Sequence, residues 1–132
     1  MNGKDKRTEI RKLAKTDSRY HPDAFFLVCD GLEHAVTKLR KNVKYPADRH
    51  ISGKELSSSI AELALDRWGY MTRIVLKRWG VEETLDFGEI VYLMIDNKLM
   101  SSQPGDTIQD FVDVFDFEDV FEKKFRIKPL EK

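Results

Sequence analysis

Apolar side chains return along this chain at helical rather than strand spacing. From Pro22 to Lys41, Phe25, Val28, Cys29, Leu32, Val36 and Leu39 recur every three or four residues while Glu33, Lys38 and Lys41 face away, which predicts an amphipathic helix. Pro22 suits a first helical position, where its missing N–H costs nothing, and Asp23 complements the positive helix end. Gly31 interrupts the stripe; a small residue there suits close approach of a neighbouring backbone. A second helix opens at Ser52-Gly53-Lys54-Glu55, the S-x-x-E pattern in which serine and glutamate satisfy orphan backbone donors reciprocally, and it carries Leu56, Ile60, Leu63, Ala64 and Trp68. Gly69 ends or kinks it. A third helix over Tyr70–Trp79 is expected to turn Met71, Ile74, Val75 and Trp79 inward. A fourth, Asp86–Lys98, has Phe87, Ile90, Val91, Met94 and Ile95 as its stripe, with Glu89 placed for a capping-box variant started by Asp86.

The pattern then weakens. Pro104-Gly105 fits the two central positions of a type II turn, so a short hairpin is expected over Leu99–Ile108. Asp116 is placed to cap a short helix bearing Phe117, Val120, Phe121 and Phe125. At the other end, residues 1–17 offer only Ile10 and Leu13 as sizeable apolar groups and read as a basic, loosely ordered arm or a short frayed helix. The expected fold is therefore mainly α, with four or five helices and one small β-hairpin. Three helices followed by a hairpin is the element order of a winged helix, so residues 52–113 are expected to be winged-helix-like. One globular domain over residues 18–125 and a polar tail over 126–132 complete the organisation.

Composition narrows the class. At 132 residues, 41% apolar and 35% charged, the chain can bury a real core. No apolar run approaches the roughly 20 residues that span a bilayer, and no apolar segment of a signal peptide follows Met1, so a cytoplasmic protein with no membrane partner is expected. A lone cysteine, Cys29, excludes an intramolecular disulfide and any multi-cysteine zinc site. The 23 basic and 23 acidic residues balance overall yet are unevenly placed. Residues 1–20 have a net charge of +4, residues 101–132 a net of −3, and no basic residue occurs from Ser101 to Glu122.

Three segments together carry a resemblance: Arg49-His50-Ile51-Ser52-Gly53-Lys54-Glu55-Leu56, Asp86-Phe87-Gly88-Glu89-Ile90-Val91-Tyr92 and Val114-Phe115-Asp116-Phe117-Glu118-Asp119-Val120-Phe121. With Trp79-Gly80-Val81 between them, they resemble a small family of uncharacterised bacterial proteins of about this length, over roughly Ser18 to Phe125. In that family a Pro and an Ala often stand where Tyr70 and Thr72 stand here, so the third helix can start differently. The resemblance implies a bacterial, cytosolic, single-domain protein and brings no established activity with it.

Candidate chemistry is sparse. No phosphate-binding, dinucleotide-binding or H-E-x-x-H motif is present, no spacing assembles nucleophile, base and orienting partner, and no catalytic, cofactor or metal residue is assigned. Cys29 reads as a small buried hydrophobe, His34 as a surface residue, His21 as an aid to helix initiation, and Trp68 and Trp79 as core. His50, just before the capping box, reads as a structural hydrogen-bonding group and is the first residue to test should the protein be an enzyme. The acidic stretch interleaves carboxylates with rings, and Phe111, Phe115, Asp116, Phe117 and Phe121 are the expected contacts to a protein partner, the rings anchoring and the carboxylates steering. The expected function is a non-enzymatic binding or adaptor module. The alternative is association with nucleic acid through Lys6, Arg7, Arg11, Lys12 and Lys15, with Lys4 before them and Tyr20 and Tyr45 available for stacking. On the fourth helix, Asp86, Glu89 and Asp96 would repel phosphates, which disfavours the usual winged-helix docking on DNA.

Overall fold

A computed structural model describes residues 5–42, 44 and 50–123. Five α-helices follow one another: α1 (Lys6–Asp17), α2 (Pro22–Arg40), α3 (Gly53–Trp68), α4 (Thr72–Arg78) and α5 (Thr84–Asp96). A 3-10 turn, Gly69–Met71, leads into α4; a second, Ile108–Phe111, and a π-type turn, Glu118–Lys123, close the chain. Phe25 and Val28 of α2, Ile60 and Ala64 of α3, Leu76 of α4 and Phe87, Ile90 and Met94 of α5 form the centre of the core. At the α2–α3 crossing a Cβ on Gly31 would stand 2.4 Å from Ile60 Cγ1, and Ser59 Oγ donates to the Gly31 carbonyl at 2.7 Å.

Local signals start the helices as the sequence suggests. His21 Nδ1 accepts from Asp23 N at 3.0 Å at the head of α2. Ser52 and Glu55 close the capping box of α3, and Arg40 donates twice to the same Glu55 carboxylate at 3.0 and 2.8 Å. The Ser52 backbone and then Arg40 hold Glu55 below the usual carboxylate range. Helix α5 begins two residues before the expected start, and Asp86 is its third residue rather than its cap. Asp86 Oδ2 accepts from the Glu82 and Glu83 amides at 2.8 and 3.2 Å, and its Oδ1 accepts from Tyr20 O–H at 2.6 Å.

Three expectations are corrected, while the basic arm takes the second of its two expected forms, a short helix: Asp5 accepts from Thr8 N at 2.8 Å, and α1 buries Ile10 and Ala14. Two apolar residues one turn apart suffice to seat a helix whose remaining surface is polar. Lys4, Tyr45, Pro46, Arg49, Phe125 and the tail lie outside the described residues.

The hairpin is absent, and no strand occurs among the described residues. Its turn is present, with Asp106 N donating to Gln103 O at 3.0 Å and Gly105 at φ 93°. The arms do not pair because the second is already engaged: Thr107 Oγ1 accepts from Gln109 N, and Asp110 N donates to Thr107 O at 3.0 Å, turning residues 107–111 into a 3-10 coil.

Helix α4 is rotated from its expected face. Thr72 and Leu76 are buried, while Met71 and Ile74 are 42% and 50% exposed. The Thr72 hydroxyl, in reach of both the Gly69 carbonyl at 2.6 Å and the Ala64 carbonyl at 3.2 Å, fixes that rotation. The C-terminal segment winds as a wider π-type turn rather than a regular α-helix, although Asp116 does accept from Glu118 N at 2.9 Å.

The irregular segment after α5 is seated by missing side chains. A Cβ on Gly88 would lie 2.8 Å from both Cβ and Cγ of Phe111, and one on Gly53 would lie 2.8 Å from Asp110 Cβ. Between them the buried Thr84 hydroxyl donates to Phe111 O at 2.7 Å and accepts from Val114 N at 3.1 Å. Gly→Ala inside a helix ordinarily stabilises by about 0.5–1 kcal/mol. Here Gly88→Ala is expected to destabilise by about 1–3 kcal/mol through overpacking against Phe111, as read by urea denaturation; a stabilised variant contradicts this packing.

Tyr20 supplies a pH dependence. Burial first, then its bond to Asp86, raise its pKa from an ordinary 10.0. The unfolded phenol ionises near 10 while the folded one keeps its proton, so this contribution to stability is whole below pH 10 and is lost as pH rises above it. Tyr20→Phe is expected to flatten the alkaline limb of a stability–pH profile measured by thermal denaturation; an unaltered limb excludes Tyr20 as its source.

Candidate functional site

Four segments of the chain meet around a cleft of about 310 Å³. Helix α2 contributes Leu32 and Val36, the start of α3 contributes Leu56, and α5 contributes Val91 and Ile95, so the floor is apolar. The polar lining residues are His50 before α3, Tyr92 on α5, and Asp106, Thr107 and Asp110 of the irregular segment. Because Gly53 and Gly88 let Asp110 and Phe111 lie directly on both helices, the Asp110 carboxylate is carried on packed backbone.

His50 Nε2 and Asp106 Oδ1 are hydrogen-bonded at 3.0 Å across 56 positions of sequence. The second oxygen of Asp106 accepts from Gln103 N at 2.8 Å, which locks the carboxylate to its own turn. Burial, followed by the charges of Asp106 and Asp110, pushes the Tyr92 phenol up, so both carboxylates project negative potential onto the tyrosine side of the cleft. The arrangement offers an apolar slot with an acidic, hydrogen-bonding mouth. Among the described residues no three His, Cys, Asp or Glu side chains gather closely enough to hold a metal ion.

The other singled-out residues fall into plain structural settings. His34 bonds Glu62 at 2.8 Å on the surface. Half-buried Cys29 lies 3.8 Å from Met94 Sδ, and burial pushes its thiol up. Trp68 and Trp79 meet edge-to-face with ring centres 5.4 Å apart, both half-buried.

The expected protein-contact residues are corrected in part. Phe111, Phe117 and Phe121 are 4%, 3% and 0% exposed and cannot serve as surface anchors. Phe117 packs on Phe87 with centroids 5.8 Å apart and on Phe121 at 4.9 Å. Burying a ring removes more apolar surface from water than any nearby alternative, so these rings close the open end of the core while the carboxylates between them stay wet. Phe115 is half-buried and Asp116 exposed.

The basic residues Lys6, Arg7, Arg11, Lys12 and Lys15 are all exposed on α1. They do not act as one free patch. The Arg7 and Arg11 guanidinium groups lie 4.2 and 5.3 Å from the centre of the Phe26 ring, and Lys12 pairs with Glu9 at 3.7 Å.

Sequence reasoning singled out His50 but missed its partner, Asp106, together with Tyr92 and Asp110 as cleft residues. No spacing rule links positions so far apart; the one available signal was the acidic residue directly after Pro104-Gly105, where a turn fixes its direction. No protein-family model matches this chain, and no curated protein or solved structure shows significant similarity to it. No helix among the described residues is long and apolar enough to cross a membrane.

The burial of the C-terminal rings has a direct consequence. Phe121→Ser is expected to lower stability by at least the roughly 3–5 kcal/mol typical of emptying a buried aromatic site, read by chemical denaturation; loss within 1 kcal/mol (on the order of a surface change) contradicts the burial.

Proposed function

We propose that this protein is a non-enzymatic adaptor that binds another protein, and that its cleft receives a basic side chain of that partner. The observation that carries this reading is an apolar floor beneath a mouth lined by Asp106 and Asp110. A lysine or arginine has the matching form, an apolar stem with a cationic head. Asp113, Asp116, Glu118 and Asp119, all exposed, extend the negative field along the C-terminal segment and would steer such a partner. In this reading the acidic C-terminal region is the contact surface through its exposed carboxylates and half-buried Phe115, with Phe111, Phe117 and Phe121 inside the core.

Segments 49–56 and 86–92, on which the resemblance rests, bring His50, Gly53, Val91 and Tyr92 to the cleft, and a bacterial, cytoplasmic setting is part of this proposal. The helix order α3–α4–α5 is that of a winged helix, and we keep a winged-helix-like arrangement of residues 52–113 as part of the reading, without a reading helix. The carboxylates Asp86, Glu89 and Asp96 on α5 disfavour its docking against phosphates. Association with nucleic acid through α1 is the second reading, favoured by the exposure of Lys6 and Lys15, which have no ion-pair partner among the described residues.

A test is titration of the isotope-labelled protein with a lysine-rich peptide and with its glutamate counterpart, followed by NMR. The lysine peptide is expected to shift the amides of Tyr92, Ile95 and Met100, and Asp110→Asn to weaken it about tenfold. Shifts confined to α1, or equal binding of the two peptides, would overturn the reading.

A further inference from the structure

Two arginines share one aromatic ring. Arg7 and Arg11 stand one turn apart on α1, and their guanidinium carbons lie 4.2 and 5.3 Å from the centre of the Phe26 ring on α2. The two carbons are therefore no further apart than the sum of those distances, although like charges repel and both side chains are exposed, with water available to either. The ring face attracts each cation, which offsets part of the repulsion and restricts side chains that would otherwise sample many rotamers.

A phenyl ring accepts no conventional hydrogen bond, so a guanidinium over it keeps its N–H donors. No hydrogen bond or ion pair among the described residues uses the side chain of Arg7 or Arg11, and the carboxylates on and around α1 are engaged elsewhere. Asp5 accepts from Thr8 N at 2.8 Å, Glu9 pairs with Lys12 at 3.7 Å, Asp17 with Arg19 at 3.0 Å, and Asp30 of α2 with Arg67 at 2.9 Å. Lys6 and Arg7 also occupy the first turn of α1, where the helix dipole disfavours cations. The pair thus costs the helix stability and leaves two positive charges without a counter-charge, an arrangement that an external anion would relieve.

The donors indicate which anion. A guanidinium presents a planar fork that gives parallel charge-assisted bonds of about 2.8 Å to two oxygens of one group. Two forks suit a group with several oxygens pointing in different directions, which a planar carboxylate lacks. A phosphate monoester has such oxygens and carries about −1.5 to −2 charges at pH 7, matching two arginines, whereas each phosphodiester of a nucleic-acid backbone supplies one.

We propose that Arg7 and Arg11, held over Phe26, form a binding site for a phosphate monoester group. The site lies on α1 and α2 and holds or fails independently of the cleft. It also differs from general association of α1 with nucleic acid, which needs only a run of positive charge and not paired forks.

Titration of the isotope-labelled full chain at constant ionic strength, followed by NMR, tests it. Methyl phosphate is expected to shift the side-chain Nε–H signals of Arg7 and Arg11 saturably, and dimethyl phosphate to bind at least about tenfold more weakly. Arg7→Lys with Arg11→Lys, exposed changes that keep the charge and remove the forks, are expected to weaken methyl phosphate about tenfold. Phe26→Leu, with its fold checked by circular dichroism, is expected to weaken it about threefold. A phosphoserine peptide that binds more tightly than methyl phosphate, while its unphosphorylated counterpart does not bind, supports the site and assigns the group to a protein; equal binding of the two phosphates supports it and assigns a small phosphorylated molecule. Absence of saturable shifts, equal binding of monoester and diester, or a double lysine variant that binds as wild type does would each overturn the proposal, the last in favour of a merely cationic helix.

Discussion

Phe111 occupies the gap left where Gly53 and Gly88 carry no side chains, and its carbonyl accepts from the buried Thr84 hydroxyl. That contact ties the irregular segment after α5 to the starts of two helices at once. Without it the segment has no sheet to join, since no strand occurs among the described residues, and its own backbone bonds only hold short turns. The two glycines are thus spacing elements: each lies within a helix, where it weakens local propensity, and each is repaid by ring-against-backbone packing unavailable to any larger residue.

The cleft inherits its form from this seat. Its floor is ordinary core periphery from α2, α3 and α5, and its acidic rim is brought over that floor only because Asp110 and Phe111 lie hard against α3 and α5. His50 then bonds Asp106 at 3.0 Å. An apolar slot beneath anchored carboxylates matches a group with a greasy stem and a positive head, and the proposed docking of a basic side chain rests on that match.

Balanced total charge conceals a molecule with strong local fields. Cations on α1 are partly engaged by Phe26 and Glu9, whereas Lys77 and Arg78 stand exposed. Carboxylates from Asp106 onward line both the cleft and a second groove beside α4. Surfaces of opposite sign on a protein of zero formal net charge favour docking in a fixed orientation over long-range repulsion.

Periodicity by itself determined the helical class and, to within a few residues, where α2, α3 and α5 run, because caps such as Ser52 with Glu55 and stripes such as Phe87, Ile90 and Met94 act over a single turn. It also determined the turn at Pro104-Gly105, set by the backbone preferences of two adjacent residues. Three outcomes needed tertiary structure. Phe117 and Phe121 are core rather than surface, α4 is rotated to bury Thr72 in place of Ile74, and His50 meets Asp106. Each depends on what a distant segment offers: a ring to pack on, a carbonyl to bond, a carboxylate to approach. A local pattern records which residues share a face, but which face is covered is decided by the rest of the chain folding against it.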